Sequence, residues 1–189
     1  MYFLNSLRIL LFYSIAIFIL YFGIGGFIYL ELVQEKARIE ESPQSDDTSY
    51  NIDGIGVKGK DMARIVGQII LTEEIFPLVN HLPSFLNYII TAMSFGAFGS
   101  FGFVINSAIK NGLNLKTSRN LFIFLINGGF AGVIVLAISY TVPFLLTAEA
   151  VTLKPTTVVF FCLFAGFLHT KFFDWFSSIF DKNIFNKED

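Results

Sequence analysis

Side chains that do chemistry are scarce in this sequence, which holds two histidines and one cysteine in 189 residues. The lone Cys162 lies inside an apolar run, so it excludes an intramolecular disulfide and supplies no metal-ligand pattern. His81 stands in a loop beside Pro83 with no cysteine or glutamate ladder near it, which does not read as a zinc site. Gly54, Gly56 and Gly59 lack the Lys-Ser/Thr pair and the preceding strand of a phosphate-binding loop. An intramembrane protease would need a buried serine with a histidine, or paired aspartates within the apolar runs, and the sequence spacing offers neither. No enzymatic activity, metal or cofactor is expected.

Charge is scarce too. Asp, Glu, Lys and Arg make up 15% of the chain, against roughly 25% in ordinary soluble domains. The formal charge of −2 without a dense Lys/Arg cluster excludes a direct nucleic-acid partner. Apolar residues fill the space instead, at 54% with 24 phenylalanines and a mean hydropathy of +0.65. They are gathered into long runs, which a soluble fold of this size could not hide without large exposed patches. The lipid bilayer is the partner this composition implies.

About twenty apolar residues in helix span a hydrocarbon core of ~30 Å. The predicted fold is therefore an all-α membrane protein with four transmembrane helices, at 9–31, 85–109, 121–146 and 156–176. The first run, from Ile9 to Leu30, is too long for a signal-peptide core and closes on Tyr29-Leu30-Glu31, which predicts an uncleaved anchor. Pro83-Ser84 marks the start of the second, and Pro143 lies near the far end of the third, where a kink or stop is expected. The fourth follows Pro155 and passes into His169, Lys171, Asp174 and Trp175, leaving 177–189 as a tail. Barrel strands would alternate in polarity, and these runs do not.

Between the first two runs, 32–82 is polar and acidic. From about Glu40 to Gly59 it reads as mobile loop. Met62, Ile65, Val66, Ile69 and Ile70 then recur on one helical face, which predicts a short amphipathic helix over about 61–76, capped by Asp61 and stopped by Pro77. That helix lies in the interface or covers the bundle, and covering is favoured. Lys110, Lys116 and Arg119 sit between the second and third runs, and Arg8 and Lys171 flank the first and fourth. Placing them on the cytoplasmic side of a bacterial inner membrane puts both termini inside and the acidic segment outside. Lys110, Lys116, Arg119 and Lys171 are candidates for docking a cytoplasmic protein.

Helices in lipid associate through small residues that let backbones approach. Ala92, Gly96 and Ser100 form one such stripe, Gly128 and Gly132 a second, and Cys162, Gly166 and Thr170 a third. They serve packing within the protomer or line a homo-oligomeric seam. Asn106, Asn127, Ser139 and His169 are candidates for interhelical hydrogen bonds or for the polar lining of a pore. His169 and Asp174, five residues apart, fall on different helix faces and make no catalytic pair.

The segments MSFGAFGSFGFVINS, FLINGGFAGVIVLAISY and CLFAGFLHTKFFDWF resemble the glycine-patterned last three helices of small four-span proteins of bacterial defence operons, among them the KwaA membrane subunits of Kiwa anti-phage systems. The resemblance covers roughly residues 85–180 and rests on glycine and alanine spacing and on layout. It implies an oligomeric inner-membrane partner for a cytoplasmic effector, with the outer loop placed to sense envelope disturbance. No residue-level motif carries over. The reading is thus a non-enzymatic membrane scaffold or sensor. A holin-like pore is the alternative, and a small transporter finds less support without charged midplane residues or internal repeats.

Overall fold

The computed structural model describes residues 2–41, 48–111, 118–146 and 154–184. Among them are seven helices and one two-stranded hairpin. They divide into two compact units.

The first unit is built on α1, Tyr2–Glu41. Forty residues of helix are roughly 60 Å long, twice a hydrocarbon core. The helix therefore continues well beyond the expected 9–31. Hydropathy marks where lipid ends, whereas residues after Glu31 such as Gln34, Glu35, Lys36, Ala37 and Arg38 are good helix formers that carry the backbone on. The Lys36–Glu40 pair at 3.9 Å adds to this polar extension.

Against α1 packs α2, Lys60–Ile75, burying Met62, Ala63, Ile65 and Thr72. Arg64 donates from Nη2 to Glu35 Oε1 at 3.0 Å. The cap is Gly59 (φ 84) rather than Asp61, because the chain leaves the preceding strand through a left-handed conformation. Asp61 sits instead in the first turn, where its charge suits the helix dipole.

Residues 48–59 correct the expectation of a mobile loop; 42–47 lie outside the described residues. Strands β1, Ser49–Ile52, and β2, Ile55–Lys58, pair antiparallel with Ile52 opposite Ile55. Asp53 (φ 53) and Gly54 (φ 84) form the turn. Positive φ at both central positions is the tight hairpin geometry that matches strand twist, and Asp-Gly is a preferred pair for it. The hairpin buries Val57 and contacts α2.

A short α3, Pro77–Asn80, turns the chain back toward α4, Ser84–Asn111. Asn87 donates from Nδ2 to the Val79 carbonyl at 2.8 Å and fastens this turn. Phe76 fills the space over Gly25 and meets Tyr21 edge-on at 5.2 Å, while Thr91 lies on Gly26. In α2, by contrast, a Cβ at Gly67 would touch nothing within 4 Å. Gly67→Ala should therefore raise the melting point of the detergent-solubilised protein, by an amount equivalent to ~0.5–1 kcal/mol, since only helix entropy changes. A lower melting point would mean that this face of α2 is covered.

The second unit contains α4 from Ala92 on, α5, Ser118–Leu146, and the pair α6, Pro155–Phe167, and α7, His169–Ile184, except that Pro155 and Thr156 at the start of α6 belong to the first unit. The pair is bent by 95° at Leu168. The expected continuous helix over 156–176 is therefore two helices, and residues 177–184 of the expected tail continue α7.

Among the described residues three helices, α1, α4 and α5, are long and apolar enough to cross a membrane, which makes up to four spans if the bent pair counts as one. Large apolar side chains such as Ile17, Phe18, Phe130, Phe160 and Phe164 point outward and are more than half exposed. Water would not tolerate that surface, and lipid would.

Candidate functional site: a glycine seam and the knot at the helix break

The second unit is held by direct backbone approach. A Cβ placed on Gly96 would overlap the Gly128 carbonyl oxygen and come within 2.9 Å of the Gly132 nitrogen. On Gly166 it would overlap the Gly96 carbonyl, on Gly132 that of Ala92, and on Gly99 that of Leu163. Three helices therefore meet around Gly96 with no side chain between them. Cys162 is fully buried in the same seam, its Sγ 3.3 Å from the Gly132 carbonyl. Ala92, Gly96, Ser100, Gly128, Gly132, Cys162 and Gly166 are all buried here, whereas Thr170 lies beyond the bend and is exposed.

The break at Leu168 creates a second feature. A helix end leaves carbonyls without intrahelical partners, and in an apolar setting each must find a donor. The Gly166 carbonyl finds two: Ser100 Oγ donates to it at 3.0 Å, and His169 Nδ1 approaches it at 3.0 Å. Ser100 Oγ and His169 Nδ1 lie 3.3 Å apart. His169 is only 1% exposed and stands between Phe103 (ring centroids 5.2 Å) and Phe124 (5.3 Å), both edge-on.

A buried serine and a histidine are thus brought together, contrary to the expectation from spacing. Chemistry decides what the pair can do. A lone pair on Nδ1 would repel the carbonyl it faces, so the proton belongs on Nδ1. The lone pair then sits on Nε2, a buried atom that no protein group reaches and that points away from the serine. A general base must present its lone pair to the hydroxyl it activates. Here the Ser100 hydroxyl is turned to a carbonyl, and the residue is wholly buried. The cluster is built as a lock on the bend. Asp174, the acid nearest His169 in sequence, is exposed.

The remaining sequence candidates are more dispersed. Asn106 on α4 and Asn127 and Ser139 on α5 are half-buried, and Lys171 is exposed on α7. Lys116 and the side chains of Lys110 and Arg119 lie outside the described residues. Among the described residues, no group of three or more His, Cys, Asp or Glu is placed to hold a metal ion.

Glu31, in the first unit, takes a role that spacing did not reveal. Its Oε1 accepts from the Thr156 amide at 2.9 Å and from the Thr156 hydroxyl, capping the first turn of α6 across 125 residues of sequence. A carboxylate there satisfies free amides and suits the helix dipole. Glu31→Ala should cost about 1 kcal/mol, read as a lowered melting point in detergent, with Glu31→Gln partly restoring it. An unchanged melting point for Glu31→Ala would show that the cap contributes nothing.

Fold and sequence together define a class, a multi-pass all-α protein whose helices suit a bilayer. Compared with protein families, characterised proteins and solved structures, the chain matches none.

Proposed function

We propose that the chain is a non-enzymatic scaffold or sensor of a bacterial inner membrane, crossing it four times with both termini in the cytoplasm. In this reading it assembles as an oligomer and docks a cytoplasmic partner through the basic link between α4 and α5 and through Lys171. A role in anti-phage defence is proposed on the resemblance of the glycine pattern to that of Kiwa-type membrane subunits.

The observation that carries the proposal is the contrast between the two units. In the second, helices α4, α5 and α6 are pressed backbone to backbone, and the Ser100–His169 cluster is turned to the Gly166 carbonyl at the bend. In the first, α2 is folded onto α1, with Arg64 on Glu35 of its polar extension, and the hairpin packs on α2. A polar segment ordered by its own packing, together with spans that carry little reactive chemistry, suits recognition better than catalysis or conduction.

Three arms test it. Purified protein in dye-loaded vesicles should leave them tight; rapid dye release would favour the pore, with Asn106, Asn127 and Ser139 as its lining. A serine-reactive fluorophosphonate should leave Ser100 unlabelled; labelling would make it a nucleophile. Cross-linking in native membranes should give a discrete adduct that is lost when Lys110, Lys116 and Arg119 are neutralised; persistence of the adduct would remove the docking assignment.

A further inference from the structure

We infer that α7 is an in-plane helix, lying along the inner bilayer surface with Trp175 seated among the lipid headgroups. The partner of this face is the bilayer itself, and the inference rests on the membrane placement proposed above.

Depth comes first. Phe103 touches both Phe167 and His169, with ring centroids at 6.2 and 5.2 Å, so the turn at Leu168 lies level with Phe103 of α4. Counted along α4 from Ser84, Phe103 is roughly 28 Å down the helix, close to the ~30 Å of a hydrocarbon core. Beyond that level α4 carries Asn106, Ser107, Lys110 and Asn111, residues that suit headgroups and water. The chain therefore turns where the hydrocarbon ends.

Direction comes next. If α6 runs with the spans, a bend of 95° sets α7 in the membrane plane. The residues of α7 are sorted for that position. His169 is buried, and Phe172, Phe173 and Phe176 are half-buried, so these cover the end of the unit. Lys171, Asp174 and Ser178 form an exposed polar stripe on the opposite side. Trp175 stands on the flank between them, 54% exposed and 5.9 Å from the Phe172 ring. A helix with one aromatic edge and one polar face, lying across the axis of a span, has the features of an interfacial helix. Tryptophan, apolar in body with one polar N–H, is the residue most at home there.

Trp175 is the sole tryptophan in the chain, so intrinsic fluorescence of the unmodified protein reports on this position alone. The protein is reconstituted in phosphatidylcholine vesicles carrying bromine either near the headgroup end or near the methyl end of the acyl chains. Emission should be blue-shifted from that of tryptophan in water. Quenching should be several-fold stronger with the shallow bromines than with the deep ones, and weak with aqueous iodide. In Trp175→Phe/Ser178→Trp, the new tryptophan on the polar stripe should be readily quenched by iodide. Strong iodide quenching of wild-type Trp175 would place α7 in water, and preferential quenching by deep bromines would make it part of a crossing. Either result overturns the inference. Carbonate extraction keeps the two readings apart: a protein retained in the membrane with a water-exposed Trp175 refutes the in-plane helix alone, whereas one released by carbonate refutes the membrane placement as well.

Discussion

Gly96→Leu should leave no monodisperse protein in detergent, and Gly96→Ala should already lower the melting point severely. The reason is what surrounds the position. Even the first carbon of a side chain would overlap the Gly128 carbonyl and crowd the Gly132 nitrogen. Those atoms belong to the backbone of α5, which cannot rotate out of the way as a flexible side chain can. From the other side, Gly166 of α6 leans on the Gly96 carbonyl, so a shift of α4 disturbs two interfaces together. Overpacking in cores costs about 1–3 kcal/mol when neighbours can adjust. With backbone on two sides, the alanine variant belongs at the upper end of that range and the leucine variant beyond it. Gly129→Ala is the matched control on α5, since its Cβ would meet the Met93 carbonyl at an ordinary 3.5 Å. Size-exclusion profiles of fluorescent fusions, followed by thermal melts, measure all three. A monodisperse Gly96→Leu protein with a wild-type melting point would mean that α4, α5 and α6 do not approach one another at this level.

What could be read from sequence, and what could not, divides along the range of the forces involved. Lipid demands that a spanning segment be continuously apolar, so the long runs of α1, α4 and α5 are visible without any tertiary knowledge. The face that defines α2 is likewise a local periodicity, and its observed limits, Lys60–Ile75, lie within a residue of those expected. The small residues four apart in α4 and α5 are equally local, although which helix each stripe meets is not. Helix ends are harder. Glu31 closes the apolar run yet does not end the helix, because polarity reports the solvent and not the backbone. The hairpin was legible in principle from Asp53-Gly54, but strands of only four residues such as Ser49–Ile52 carry too little alternation to stand out from a loop.

The bend at Leu168 belongs to a different category. No proline stands at the break, and the apolar pattern of α6 passes into the aromatic pattern of α7 without a stop signal. What holds the bend is a pair of donors, one of them on α4, 66 residues before the carbonyl it satisfies. Read along the chain, Ser100 is a packing residue and His169 an interfacial one. Only the fold reveals that they share one acceptor. Glu31 and Thr156 repeat the lesson, since a cap that comes from another helix leaves no mark in the sequence around the helix it caps.

His169→Ala tests that sharing, and it should be the most damaging change outside the glycine seam. It withdraws one of two donors from the Gly166 carbonyl and opens a void between Phe103 and Phe124. Losing a large buried ring costs about 3–5 kcal/mol, and a weakened buried carbonyl adds about 1 kcal/mol or more. Local rearrangement of α7 into the void will recover part of this, so a net loss of about 3 kcal/mol is expected. Ser100→Ala removes only a hydroxyl and should cost about 1 kcal/mol. Because both donors serve one acceptor, the double variant should depart from the sum of the singles by ~0.5 kcal/mol or more. His169→Phe separates the two parts of the effect, filling the void while withholding the donor, and should fall between wild type and His169→Ala. Thermal melts of these variants and the wild type in one detergent give every term. If His169→Ala melts with the wild type, or if the two losses simply add, the knot does not hold the bend and the turn at Leu168 is fixed by packing alone.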